Sequence, residues 1–120
     1  MEIRIKSFNG DQIAEITSDD ILISVTQDAL DLMANCRYQG AGKIIVQEKH
    51  LHPDFFNLKT RLAGEILQKF SNYNVRLAII GDFSKYQSKS LQDFIFESNK
   101  HKHINFVSSL DEAIEKLSPS

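Results

Sequence analysis

The sequence predicts an α/β domain with some α+β character, in which a mixed sheet of about five strands opens with a hairpin. Three observations predict it. Residues 2–8 (EIRIKSF) alternate apolar and polar, and Asn9-Gly10 follows. The short apolar runs KIIVQ (43–47), VRLAII (75–80) and HINFV (103–107) look like buried strands. Between those runs lie stretches with apolar residues spaced three and four apart, the period of a helix packed on one face. The order is therefore β-β-α-β-α-β-α-β-α, in one domain over residues 1–120.

Each element has a local reason. Asn-Gly closes two-residue hairpins because both residues tolerate positive φ, so residues 12–17 return as the second strand. Ser24-Val25-Thr26-Gln27 resembles a capping box and opens a helix to about Tyr38, with Leu30, Met33, Ala34 and Arg37 on its inner stripe. Gly40 and Gly42 end it. In HPDFFNLKTRLAGEILQKF (52–70), Leu58, Leu62, Ile66 and Phe70 recur every fourth residue, which predicts a helix with Thr60 in its first turn. Ser88 or Ser90 caps the third helix, with Leu91, Phe94, Ile95 and Ser98 inward. Ser109-x-x-Glu112 is a second capping box for the last helix, with Ala113, Ile114 and Leu117 inward. Ser118-Pro119-Ser120 looks frayed. Strands joined by crossover helices run parallel, with right-handed connections.

Composition narrows the function classes. A chain of 120 residues with 42% hydrophobic and 25% charged residues buries a core without staples. A net charge of -2 supplies no footprint for nucleic acid or an anionic membrane. Cys36 is the only cysteine, which excludes an intrachain disulfide and fits a cytoplasmic protein. No apolar run approaches the roughly 20 residues that cross a bilayer, and MEIRIKSF lacks the features of a signal peptide.

In sheets of this kind ligands gather at the carboxyl ends of the parallel strands. The loops 48–57 and 81–88 lie there and are long for connections, which favours function. Glu48 and Asp82 follow two neighbouring strands, where a carboxylate pair would hold Mg²⁺ or act as acid and base. Against this, no third acid or phosphate loop accompanies them, and Asp82 equally organises its own turn. His50-x-His52 and His101-x-His103 fall at opposite ends of the sheet, and each pair alone is short of a zinc site, so all four are expected to be solvated loop residues. Cys36 is expected to be a half-buried apolar residue without a base. No metal and no cofactor is called for. Phe55, Phe56, Phe83 and Tyr86 cluster at the same end, as a lid on the core or as a surface for a partner.

The strings DALDLMANCRYQGA, HPDFFNLKTRLAGEILQKF and GDFSKYQSKSLQDFIFESN together resemble a bacterial family, the domain of unknown function DUF4180, collinearly over nearly the whole chain. That resemblance implies a fold and little chemistry. The element order also resembles STAS domains, the sulfate transporter and anti-sigma factor antagonist class. This implies a non-enzymatic regulator that meets a partner through the N-terminus of the helix after the third strand. Antagonist members carry a phosphorylatable Ser or Thr there in an Asp-Ser-Ser-Gly motif. The matching stretch is Asn57-Leu58-Lys59-Thr60-Arg61, which places Thr60 at the acceptor position. Asn57 stands at a different offset from the motif's acid, and Arg61 replaces its glycine. Lys59 and Arg61 would add counter-charge to a phosphate on Thr60.

The expectation is a cytoplasmic, non-catalytic regulatory or protein-interaction domain that Thr60 switches. Its partner is another protein, bound through Phe55, Phe56, Asn57, Lys59, Arg61, Asp82, Phe83, Ser84, Tyr86 and Ser88. The competing expectation is a small enzyme or a small-ligand or Mg²⁺-binding protein using Glu48 and Asp82. A third is a subunit that forms a homodimer through its hairpin or its last helix.

Overall fold

Five strands form one sheet in sequential order in a computed structural model that describes residues 1–119. β1 (Glu2–Phe8) and β2 (Asp11–Thr17) make the hairpin, closed by Asn9 and Gly10 at φ 50° and 85°. β3 (Lys43–Gln47), β4 (Arg76–Ile80) and β5 (Ile104–Val107) follow, each parallel to its predecessor, and β3 is parallel to β2. The helices are α1 (Thr26–Tyr38), α2 (Leu62–Asn72), α3 (Lys89–Lys100) and α4 (Leu110–Leu117).

The sequential order decides where the helices go. Right-handed crossovers that always step the same way along a sheet place every connecting helix on one face. Accordingly Ala29 and Leu32 of α1, Ile66 and Phe70 of α2, and Leu91 of α3 pack with Ala14, Ile44, Leu77 and Ile104 from one side of the strands. After β5 no further strand follows, and α4 folds back onto the other face. There Ala113 and Leu117 meet Ile13, Ile45, Ala78 and Val107. Lys43 and Arg76 donate to carbonyls of the last turn of α4, and the Ser118 hydroxyl lies 2.8 Å from the Phe8 carbonyl and 2.9 Å from Asp11. The end that looked frayed is therefore buried at Ser118, while Ser120 lies outside the described residues.

Several local expectations are corrected. α1 buries Ala29, Leu32, Met33 and Cys36, whereas Ala34 and Arg37 face water. Its cap comes from Asp28, whose carboxylate accepts the N–H groups of Ser24 and Val25 at 2.9 and 3.1 Å. Cys36 is fully buried, and burial pushes its thiol up to about 11, so it stays protonated. α2 starts at Leu62, not Leu58. Residues Leu58–Thr60 form a separate 3₁₀ turn, and Arg61 in the left-handed region (φ 67°) breaks the path between them. Thr60 thus precedes the helix rather than sitting in its first turn. Of the two serines before α3, Ser88 is the cap, accepting from Leu91 N–H at 3.2 Å. Ser109 caps α4 as expected, from Glu112 N–H at 3.1 Å.

Candidate functional site

The loop after β3 is not a slack connection. It is a chain of three 3₁₀ turns, Glu48–His50, Pro53–Phe56 and Leu58–Thr60. His50 anchors it and corrects the expectation of a solvated residue: its side chain is completely buried. Nδ1 accepts the Gln47 N–H at 3.0 Å, so the proton sits on Nε2, which donates to the Ser18 carbonyl at 2.9 Å. Burial holds its pKa below the ordinary value, keeping the ring neutral. The His50 carbonyl also accepts from Leu22 and Ile23, and His52 N–H donates to Ile23. The segment after β2 is thereby tied to the loop after β3. His52 is partly exposed, its Nδ1 accepting Asp54 N–H at 3.0 Å.

Thr60 ties the later turns together. Its hydroxyl lies 2.6 Å from the Asp54 carbonyl and 2.8 Å from that of Asn57, and it accepts from Leu62 N–H at 3.3 Å. Asn57 Oδ1 accepts the Lys59 N–H at 3.2 Å. Asn57, Lys59, Thr60 and Arg61 are all exposed.

Parallel register sets Gln47 beside Ile80, so Glu48 and Gly81 leave the sheet side by side. A β-carbon on Gly81 would lie 2.7 Å from Glu48 Oε1, 2.8 Å from Glu48 Cβ and 3.0 Å from Phe83 Cζ. Only glycine lets the Glu48 side chain cross here. Its carboxylate accepts from the Tyr86 hydroxyl and pairs with Lys85 at 2.7 Å. Burial first, and then the carboxylate, push the Tyr86 hydroxyl far above its usual range, so it remains a donor. Asp82 is exposed, and its Oδ1 accepts both the hydroxyl (2.6 Å) and the N–H (3.1 Å) of Ser84, which hold its pKa below the usual value. Both carboxylates thus have partners within the 81–88 loop. Among the described residues no group of three or more His, Cys, Asp or Glu could hold a metal ion.

The aromatics do meet, but not as equals. Phe55 is fully buried and belongs to the core, which corrects its assignment to a partner surface. Phe56 packs edge-on to it at 5.1 Å and stacks on Tyr86 at 4.9 Å and 13°. Phe83 meets Phe106 edge-on at 5.1 Å. Phe56, Phe83 and Tyr86 are half-buried. Gln92, which the sequence did not single out, holds their loop: its amide donates to the carbonyls of Phe83 (2.9 Å) and Tyr86 (2.7 Å). Phe56 and Tyr86 line a cleft of about 360 Å³ with Ile21, Glu48, Lys49, Leu51, Pro53 and Lys85. Ile21, at 49% exposure, is a contributor the sequence did not announce, because it is the bonds of His50 and His52 to the residues following it that bring its segment here. Ser84 and Ser88 lie exposed on the far loop.

No helix among the described residues is long and apolar enough to cross a membrane. The model of one family, a domain of unknown function (DUF4180), matches residues 8–117. Neither a curated protein nor a solved structure matches the chain.

Proposed function

The chain belongs to the DUF4180 family, and from that premise and the site geometry we propose that it is a non-catalytic, cytoplasmic interaction domain that binds another protein through the cleft beside Phe56 and Tyr86. The observation that carries the reading is the Phe56–Tyr86 stack, half-exposed and lining a cleft whose rim adds Ile21 and Pro53. Rigid aromatic faces beside an apolar hollow are what a partner's side chain buries against with little entropy cost. The carboxylates favour binding over catalysis, because Asp82 and Glu48 are both occupied by neighbours in place of a free acid and base. The resemblance to STAS domains in element order supports a regulatory role for this face.

Thr60 supplies the switch in this reading. Thr60 is exposed as a residue, yet its hydroxyl fastens the Pro53–Phe56 turn through the Asp54 carbonyl. A phosphate ester on that oxygen sets negative charge against the Asp54 and Asn57 carbonyls, and that repulsion, beyond the loss of the donated hydrogen bond, loosens the turn that presents Phe56.

Affinity capture from native lysate tests both parts. A partner retained by wild type and lost with Phe56→Ala and Tyr86→Ala supports the cleft; the same partners with all three proteins refute it. Loss of that partner with Thr60→Asp but not Thr60→Val supports the switch, since both variants lose the hydroxyl and only one adds charge. Equal capture by both leaves Thr60 a structural tether.

A further inference from the structure

The two edges of the sheet are finished differently. At the β5 edge the Asn99 side chain behaves as a short extra strand: Oδ1 accepts the Phe106 N–H at 2.7 Å and Nδ2 donates to the Phe106 carbonyl at 3.3 Å. The Ser98 hydroxyl takes the Ile104 carbonyl at 2.6 Å. At the β1 edge nothing equivalent exists among the described residues. Phe8 and Asp11 flank the two-residue turn and form the hydrogen-bonded closing pair. Alternation along an antiparallel ladder then turns the backbone groups of Glu2, Arg4 and Lys6 toward β2 and those of Ile3, Ile5 and Ser7 outward. No hydrogen bond among the described residues reaches the outward groups of Ile3 and Ile5.

The side chains on this edge are self-complementary. Ile3 and Ile5 lie on the helix-covered face, half-buried against the main core. Glu2, Arg4 and Lys6 lie on the opposite face, where Arg4 pairs with Glu2 and stands beside Glu15 in register, and Lys6 pairs with Glu15 at 2.7 Å. We propose that the occupant of this edge is a second copy of the chain, its β1 antiparallel to the first about a two-fold axis at Arg4. In that register Ile3 faces the partner's Ile5 and exchanges backbone hydrogen bonds with it, and Ile5 does the same with the partner's Ile3. Glu2 faces the partner's Lys6, and Lys6 the partner's Glu2. The two Arg4 side chains meet at the axis, each held by its own Glu2 and beside its own Glu15, so Glu2, Glu15, Arg4 and Lys6 of the two copies balance in charge. Centring the axis on Ile5 instead would set Arg4 against Lys6 twice, two like-charge pairs with no opposite-charge pair to offset them, against the single Arg4–Arg4 contact and two Glu2–Lys6 pairs of the Arg4-centred register. The sheet then continues through the dimer as ten strands, each outer edge closed by Asn99.

Sedimentation of the full chain over a concentration series, together with two charge variants, tests this. Wild type is expected to reach twice 13.7 kDa. Glu2→Lys sets a lysine against the partner's Lys6, and Lys6→Glu sets a glutamate against the partner's Glu2, so each alone weakens self-association by roughly tenfold or more. Mixed in equal amounts the two variants restore both opposite-charge pairs, and the dimer returns. In wild type the Ile3 and Ile5 amides exchange slowly with solvent at high concentration and quickly on dilution. A wild type that stays monomeric throughout overturns the proposal. So does a dimer indifferent to both substitutions, or one whose Ile3 and Ile5 amides exchange fast at every concentration.

Discussion

Replacing the hydrogen of Gly81 by a methyl group probes the site at its tightest point. The added carbon would meet Glu48 Oε1 at 2.7 Å, Glu48 Cβ at 2.8 Å and the edge of Phe83 at 3.0 Å. A carboxylate oxygen at the end of a flexible side chain would swing away cheaply. Cβ of Glu48 cannot, because it is fixed to the backbone of the turn that His50 anchors. Overpacking of this kind costs about 1–3 kcal/mol. Weakening the bonds from Tyr86 and Lys85 to Glu48 adds roughly 1 kcal/mol. Gly64→Ala is the matched control. It makes the same chemical change inside α2 where no atom lies within 4 Å, and relieving a helical glycine gains about 0.5–1 kcal/mol. Urea unfolding followed by far-UV circular dichroism reads both. With a slope of about 2 kcal/mol per molar urea, the combined loss of about 2–4 kcal/mol with Gly81→Ala lowers the midpoint by about 1–2 M, while Gly64→Ala raises it slightly. The chain has no tryptophan, and of its three tyrosines Tyr38 and Tyr73 are exposed while Tyr86 bonds the displaced Glu48, so a change in tyrosine emission with Gly81→Ala reports on Tyr86. Equal stability of Gly81→Ala and wild type would refute the close approach, and a fall with Gly64→Ala would refute the contrast.

His50 predicts a pH dependence. Its folded pKa lies below the ordinary 6.5, so between those values the unfolded chain holds a proton that the folded chain refuses. Its contribution to stability is complete above 6.5 and falls as the pH drops through that window, and the difference in unfolding free energy between wild type and His50→Gln should shrink accordingly on acidification. A difference that does not vary with pH excludes a neutral buried ring. Arg61 holds a left-handed backbone at φ 67°. Arg61→Gly should raise stability by about 0.5–1 kcal/mol where Arg61→Ala does not, measured by thermal unfolding.

Much of the fold was legible because its determinants are local. Asn9-Gly10 imposes a hairpin turn by φ alone, and the caps at Ser88 and Ser109 act within three residues. The apolar runs 43–47 and 75–80 match strands buried on both faces, and the loop aromatics sit at one end of the sheet because strand polarity puts them there. The structure departs from the sequence pattern where a contact outside that pattern, near or far along the chain, competes with it. The four-residue spacing of Leu58 and Leu62 predicts one helix, yet Thr60 ties its turn back to Asp54 and Arg61 turns left-handed between them. His50 looked like a solvated loop residue because Ser18, the carbonyl it needs, is far away in the chain.

The alternation of strands and helices follows from side-chain period and turn chemistry that operate over a few residues. Tertiary structure decided which of the loop residues face water. Phe55 is buried beneath Phe56, although the two are neighbours of identical chemistry, because only one points into the sheet. Gly81 matters because parallel register brings Glu48 across it, and register is a property of paired strands that neither strand carries alone.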